Sequence, residues 1–339
     1  MSVWLARAGK NGENEALAIE NNIVTIGWNA LGDLSSANVR QDLYDMFEST
    51  YPNAGKGRVA NHVGQVWAFR ARFKVGDLVV LPLKTQSAIA IGKITGDYQY
   101  RTDLGDSAKH ARPVEWLKTD LPRTTFDQDL LHSFGAFMTV CEIKRNDAEK
   151  RIRAIAEGKS APKAKSDLSD EDTAGDDSPL NVEEAARDQI IQFIQQKFAG
   201  HELANLVAEV LNAEGFLTRV SPPGRDGGVD ILAGAGPMGF DSPRLCVQVK
   251  SGQSPIDVMV LRELQGILQT YQAEQGLLVS WGGFKTSVTK EAKQSFFNIR
   301  LWDSGQLLEA VLQNYDKLSD ELQAELPLKH CWTLVYDDS

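Results

Sequence analysis

In the second half of the chain, apolar residues recur at every third or fourth position. Leu203, Leu206, Val207, Val210 and Leu211 follow i, i+3, i+4, i+7, i+8, which predicts a helix over 201–214 closed by Gly215. Ile190, Ile191, Ile194 and Phe198 mark a preceding helix over 183–198. Short apolar runs bounded by turn residues then predict strands over 216–221, 229–233 and 245–250. Helical spacing returns over 257–271 through Val260, Leu264, Ile267, Leu268 and Tyr271. Strands at 276–281 and 299–302 bracket a helix from about 285, and a last helix covers 307–315. This order predicts an α/β domain whose mixed sheet is covered by helices.

The first 156 residues are patterned differently. Strands are expected at 3–8, 23–28, 78–82, 88–94 and 114–118, with helices at 39–47 and 146–156. Strands separated by turns, with few helices, predict a small barrel of α+β type. Between the two parts, residues 157–182 hold almost no bulky apolar side chains and run from basic to acidic. Such a stretch buries too little to fold and is expected to be a flexible linker. The expected division is therefore 1–156, linker 157–182, and 183–339.

Composition narrows the class. At 339 residues, 42% hydrophobic and 24% charged, the chain has the make-up of a two-domain globular protein. No run approaches the roughly 18 uncharged apolar residues of a membrane span, so no membrane partner is expected. The opening MSVWLARAGKNGENE has no apolar signal core, and the three cysteines form no CxxC, which fits a reducing cytoplasm. The net charge of −10 at first disfavours nucleic acid, but residues 1–153 carry +2, 154–182 carry −4 and 183–339 carry −8. The first part is thus the better DNA-holding half. An acidic domain remains compatible with DNA when a bound cation supplies the positive charge.

The candidate chemistry sits in the second part. GRDGGVD ends on Asp230, and CVQVK follows after one loop. Strand alternation puts Gln248 and Lys250 on one face and Val247 and Val249 on the other. A carboxylate facing an amide oxygen and an ammonium suits Mg²⁺-dependent phosphodiester hydrolysis. Asp230 and Gln248 are oxygen ligands for a hard cation, and Lys250 can orient water or offset charge on phosphorus. A bland reading competes with this one, in which Gly-Gly is only a turn and Lys250 a solvated edge.

With GRDGGVDI before it and LQGI and GLLVSWGGF after it, this Asp…Gln-x-Lys pattern resembles the Mrr-type branch of the PD-(D/E)xK restriction endonucleases, over about residues 199–315. Most of that superfamily carries an acid where Gln248 stands, whereas the Mrr branch carries glutamine. The resemblance implies a PD-(D/E)xK α/β nuclease fold, DNA as substrate and Mg²⁺ as cofactor. It also implies a further metal-site acid on the first helix, for which Glu202 is preferred to Glu209; either alone is better explained as a solvated helix acid. Asp226 can support the metal, or simply make the turn. GAGPMG at 234–239 matches GxGxxG, but Pro237 and a following strand rule out a dinucleotide loop.

In the first part, Trp4, Trp28, Trp67, Phe69, Tyr98 and Tyr100 are dense for a small barrel. Read as strand residues, Trp67 and Phe69 share a face, as do Tyr98 and Tyr100. Gly76-Asp77 before LVVLPLK and the IAIGKITGDYQY stretch resemble the PUA-like/EVE group, whose nuclease-fused members hold a flipped, modified base in an aromatic pocket. The expected pocket residues are Trp28, Trp67, Phe69, Tyr98 and Tyr100, with Asn61 reading the base edge. Each aromatic alone is better explained as core. Arg58, Arg70, Arg72 and Lys74 are expected at phosphates; Lys144, Arg145, Lys150, Arg151 and Arg153 would serve too, or form a solvated helix. No histidine pair has metal spacing, and His62 is singled out only for its neighbours.

Together with the two resemblances, these features lead to the expectation of a modification-dependent endonuclease of double-stranded DNA, acting as a homodimer or larger homo-oligomer; the role that the resemblance implies is restriction of foreign, modified DNA. Two other readings stay open. One is a structure-selective nuclease resembling junction resolvases. The other is a nuclease switched on by a nucleotide or RNA bound to the first domain.

Overall fold

A computed structural model describes residues 1–159, 181–222, 224 and 228–333. The chain divides into two units: Met1–Leu121 with Asp127–Asn181, and Pro122–Phe126 with Val182–Ser339. Most of the expected linker lies outside the described residues.

The first unit is built from β1 (Val3–Ala6), α1 (Glu15–Glu20), β2 (Ile23–Ile26), α2 (Arg40–Thr50), α3 (Lys56–Trp67), β3 (Leu78–Pro82), β4 (Ala88–Ile94), β5 (Gln99–Tyr100), β6 (His110–Pro122), α4 (Gln128–Phe134), β7 (Val140–Glu142) and α5 (Ala148–Ala156). Its sheet runs β2-β6-β4-β3-β1-β7, with β5 paired to β6. Strands β3 and β4 keep their expected limits, because their apolar runs are buried along almost their whole length. The sheet path is open between β2 and β7 among the described residues, so the expected barrel is a sheet whose ends are not joined by a ladder. Helix α3 is a correction. Gly57, Gly64 and three valines weaken its helical signal, yet residues 56–67 are helical and continue into a π-turn over Ala68–Arg72.

The second unit is closer to expectation. It comprises α6 (Val182–Lys197), α7 (His201–Ala213), β8 (Leu217–Val220), β9 (Ile231–Ala235), β10 (Asp241–Lys250), α8 (Val258–Tyr271), β11 (Gln275–Ser280), α9 (Thr286–Ala292), β12 (Ile299–Trp302), α10 (Ser304–Asn314) and α11 (Asp320–Glu325). The sheet order is β12-β11-β10-β9-β8, with β10, β11 and β12 parallel and β8, β9 and β10 antiparallel. The GAGPMG stretch is the loop of the β9–β10 hairpin.

Alternation divides the apolar side chains of this sheet between two layers. Ile231, Val247, Leu277 and Val279 face Leu203, Leu206 and Val207 of α7 and Leu307 and Val311 of α10. Cys246 and Leu278 face Leu261, Leu264 and Leu268 of α8 and Val288 of α9. The sheet is thus covered on both sides.

Candidate active site

Gln248 and Lys250 occupy the end of β10, on the α8 side of the sheet that also holds Cys246. The antiparallel ladder ends at the Ile231–Val247 pair, one residue after Asp230 in the chain. The main chain holds Asp230 against the end of β10: Asp230 N–H donates to Val247 O at 2.9 Å, and Val249 N–H donates to Asp230 Oδ2 at 2.6 Å. The aspartate is therefore held by main chain next to Gln248 and Lys250.

Gln248 is only 3% exposed, and its Oε1 accepts no hydrogen bond among the described residues. A buried carbonyl oxygen without a donor costs about 1–3 kcal/mol, so such an atom is commonly completed by a ligand, water or ion. Lys250 is half-buried and forms no ion pair among the described residues. Its carbonyl accepts from Trp281 N–H at 2.8 Å, which ties it to the SWGGF turn after β11. Gly228, just upstream of Asp230, has φ +86° and lies so close to α8 that a Cβ there would meet Ile267 Cδ1 at 3.0 Å. The glycine of the GGVD motif thus lets the chain enter beneath α8 and deliver Asp230. Burial pushes the Cys246 thiol up to about 11, so it packs as a neutral group.

Glu202, the preferred helix acid, is exposed at the start of α7, and its Oε2 accepts from Asn205 Nδ2 at 3.0 Å. The apolar stripe of helix α7 packs on the sheet layer that holds Val247. Asp226 lies outside the described residues.

In the first unit a different cluster forms. Trp28 stands edge-on to His62 at 5.3 Å between ring centroids, and His62 lies 6.1 Å from Phe47. Tyr98 and Tyr100 flank His110 at 6.0 and 5.6 Å. Leu34 N–H donates to Tyr98 Oη at 3.2 Å, Tyr98 Oη lies 2.8 Å from His110 Nδ1, and His110 Nε2 lies 3.1 Å from Trp28 O. Burial drives the Tyr98 hydroxyl up to about 12 and lowers His110 below its usual range. Sequence reasoning passed over His110, whose partners are 12 and 82 residues away.

The other expected pocket residues fare unevenly. Phe69 is fully buried, 5.3 Å from Phe73, in the same core as Trp4. Its strand-like pairing with Trp67 is corrected, since residues two apart on a helical backbone do not share a face. Trp67 is half-buried against that core. Asn61 is exposed, and its Oδ1 accepts from Gln65 Nε2 at 2.6 Å, while Gln65 Oε1 accepts from Val140 N–H at 3.0 Å.

Among the expected phosphate residues, Arg58 and Lys74 are exposed. Arg72 pairs with Glu142 at 2.5 Å and lies 5.0 Å over the Trp4 ring. Arg70 donates to Leu34 O and Ser35 O at 3.0 and 3.2 Å, bracing the loop before α2. Arg151 is a second correction. It is fully buried between Asp127 and Asp129, at 2.6 and 2.5 Å, because a guanidinium satisfies two carboxylates at once.

Comparison with known proteins bears on each unit separately. Residues 195–311 match the Mrr_cat family model, described as restriction endonuclease. Residues 3–143 match a domain of unknown function, DUF8426. No curated protein matches the chain. Among solved structures, the DNA modification-dependent restriction endonuclease AspBHI is 14% identical, covering 74% of this chain and 67% of its own, with a TM-score of 0.34. MspJI restriction endonuclease in complex with a 27-mer oligonucleotide is 14% identical over 95% of this chain and 79% of its own, with a TM-score of 0.33. A crystallised protein of unknown function is 15% identical over 37% of this chain and 77% of its own, at 0.28. The match places a restriction endonuclease domain of the Mrr type within the second unit, over residues 195–311. Among the described residues, no helix is long and apolar enough to cross a membrane.

Proposed function

We propose that the protein is a modification-dependent DNA endonuclease, in which the first unit reads a modified base extruded from the duplex and the second hydrolyses a phosphodiester with Mg²⁺. The observation that carries the metal reading is the partnerless Gln248 Oε1 beside Val249, whose amide binds the Asp230 carboxylate. The donor set fits a hard cation: one carboxylate and one amide oxygen, with room in the coordination shell for waters and a phosphate oxygen. Bound there, Mg²⁺ supplies Lewis-acid polarisation of the phosphate and a more acidic water. The chain's own groups do the rest. The Val249 amide fixes the Asp230 carboxylate, burial keeps Gln248 Oε1 dry, and Lys250 brings a positive charge to the developing negative charge on phosphorus.

What supports the reader role is the cluster of Trp28, His62, Tyr98, Tyr100 and His110, which combines half-exposed aromatic rings with fixed polar atoms. The PUA-like assignment of this unit belongs to the same proposal. Double-strand cleavage needs two centres, which a homodimer supplies. The site's place is the cytoplasm, and its role the restriction of foreign, modified DNA.

One assay tests the whole reading. Matched plasmids bearing cytosine, 5-methylcytosine or 5-hydroxymethylcytosine are incubated with the protein in Mg²⁺ or EDTA. The expected result is cutting of a modified plasmid in Mg²⁺ alone. Equal cutting of all three in Mg²⁺ would remove the reader role, and cutting in EDTA would remove the metal.

A further inference from the structure

Trp28 is held in an unusual way. It adopts φ 61° and ψ 29°, the left-handed region, at the start of a 3-10 turn over Asn29–Leu31. A bulky non-glycine residue there is strained by roughly 1–2 kcal/mol and persists only where its surroundings impose it. Those surroundings are specific. The Trp28 carbonyl accepts from Leu31 N–H at 3.0 Å and lies 3.1 Å from His110 Nε2. Six residues on, Leu34 N–H donates to Tyr98 Oη, which lies 2.8 Å from His110 Nδ1.

For the neutral imidazole one proton arrangement satisfies every partner. The Trp28 carbonyl can only accept, so the imidazole carries its hydrogen on Nε2 and donates it there. Its Nδ1 then accepts the Tyr98 hydroxyl proton, while Tyr98 Oη accepts from Leu34 N–H. Both ends of the 28–34 turn are thereby pinned to a single buried His–Tyr pair. Arg70 adds a third brace, donating to Leu34 O from 3.0 Å while lying 5.5 Å over the Tyr98 ring.

The Trp28 side chain is half-buried, packed on one side against the core of the first unit and standing edge-on to His62 at 5.3 Å. At that distance the two rings touch, and His62 backs an edge of the indole. We infer that His110 and Tyr98 are positioning residues for base discrimination, acting through the backbone of Trp28 to present its indole face to an extruded base. They do not contact the base themselves. This rests on the base-reader role proposed for the first unit, and it moves Tyr98 from the pocket wall to the support behind it.

The test uses the full-length chain in EDTA, which separates binding from cutting. Fluorescence anisotropy gives affinities for duplexes containing one cytosine, 5-methylcytosine or 5-hydroxymethylcytosine, and the ratio of modified to unmodified affinity is the readout. Stacking on an aromatic is worth about 1–3 kcal/mol, which bounds the effect at roughly tenfold to a hundredfold. Tyr98→Phe and His110→Leu should each reduce the ratio about tenfold. His110→Gln, which keeps a donor within reach of the Trp28 carbonyl, should retain most of it. A melting temperature measured alongside identifies variants that fold poorly; Tyr98→Phe, with its ring intact, is the mildest and decides the matter if His110→Leu is insoluble.

If both variants lower the melting temperature but leave the ratio at the wild-type value, the pair is core only and the inference is overturned while the reader role stands. If the wild type itself shows a ratio of one for both modifications, the reader role fails and takes the inference with it. That outcome is read before any variant is made.

Discussion

Replacing Gln248 with leucine separates a structural amide from a ligand. In the folded protein Gln248 is 3% exposed, and its Oε1 has no donor among the described residues. A buried acceptor of this kind costs about 1–3 kcal/mol when no ion or water completes it. Leucine has nearly the same volume and no polar atom, so Gln248→Leu should stabilise the metal-free protein by up to that amount. For a domain of this size each kcal/mol moves the melting temperature by about 2–4 °C, giving a rise of roughly 2–12 °C in EDTA. In Mg²⁺ the order should reverse or close. The wild type gains stability by linkage to the bound ion, and the variant, short of a ligand, gains little. Cleavage should fall by a few orders of magnitude in the same variant. Differential scanning fluorimetry with and without Mg²⁺, beside plasmid nicking, makes the measurement. Wild-type cutting by Gln248→Leu, or a loss of several degrees in EDTA, would refute the reasoning, because the amide would then be structural.

Asp230→Asn keeps an acceptor for the Val249 amide but loses the charge, so cleavage should collapse while melting temperature and DNA binding hold; full activity would sink the metal assignment. Lys250→Ala should also abolish cutting without unfolding, a role refuted by a wild-type rate. Gln248→Glu keeps an oxygen ligand but buries a second carboxylate one residue from the amide that binds Asp230, so it should be less stable than wild type in EDTA and recover in Mg²⁺. Phe69→Ala should cost about 3–5 kcal/mol, read by denaturant titration, since Phe69 is fully buried; a loss of binding with unchanged stability would restore it to the pocket. The pH dependence follows from His110, which burial holds below its ordinary value of 6.5, partly offset by its bond to the Trp28 carbonyl and by Asp33, with Lys109 acting in the same direction as burial. The unfolded chain takes up a proton below about 6.5 that the folded chain refuses, so this stability is complete above that pH and declines as pH falls toward the folded value. Thermal melts from pH 7.5 to 5 should show the decline in wild type and a flatter profile in His110→Gln. Identical profiles would refute it.

Much of the second unit was legible in the linear sequence, because its signals are local. The 201–214 helix follows from five apolar positions on one stripe, and β12 from the short segment Ile299–Trp302, apolar at three of its four positions. Gln248 and Lys250 share a face because side chains alternate along any strand, whatever surrounds it. The glycine before Asp230 was legible as a turn, though its closeness to Ile267 of α8 was not.

Tertiary structure decided the rest. Helix α3 was hidden because Gly57, Gly64 and its valines weaken helical propensity, and packing of Val59, Val63 and Val66 into the core overrides that weakness. The same packing removed the supposed strand face shared by Trp67 and Phe69. Arg151 read as a solvated cation until Asp127 and Asp129, more than twenty residues away, were found to enclose it. The partnerless oxygen of Gln248 depends on what the β9–β10 register and α8 bring around it, and the strained Trp28 depends on a histidine 82 residues distant. Periodicity is a property of neighbours in the chain and survives in the linear sequence. Register, burial and hydrogen-bond pairing join residues that only the folded chain brings together, and they determine which of the candidate side chains meet.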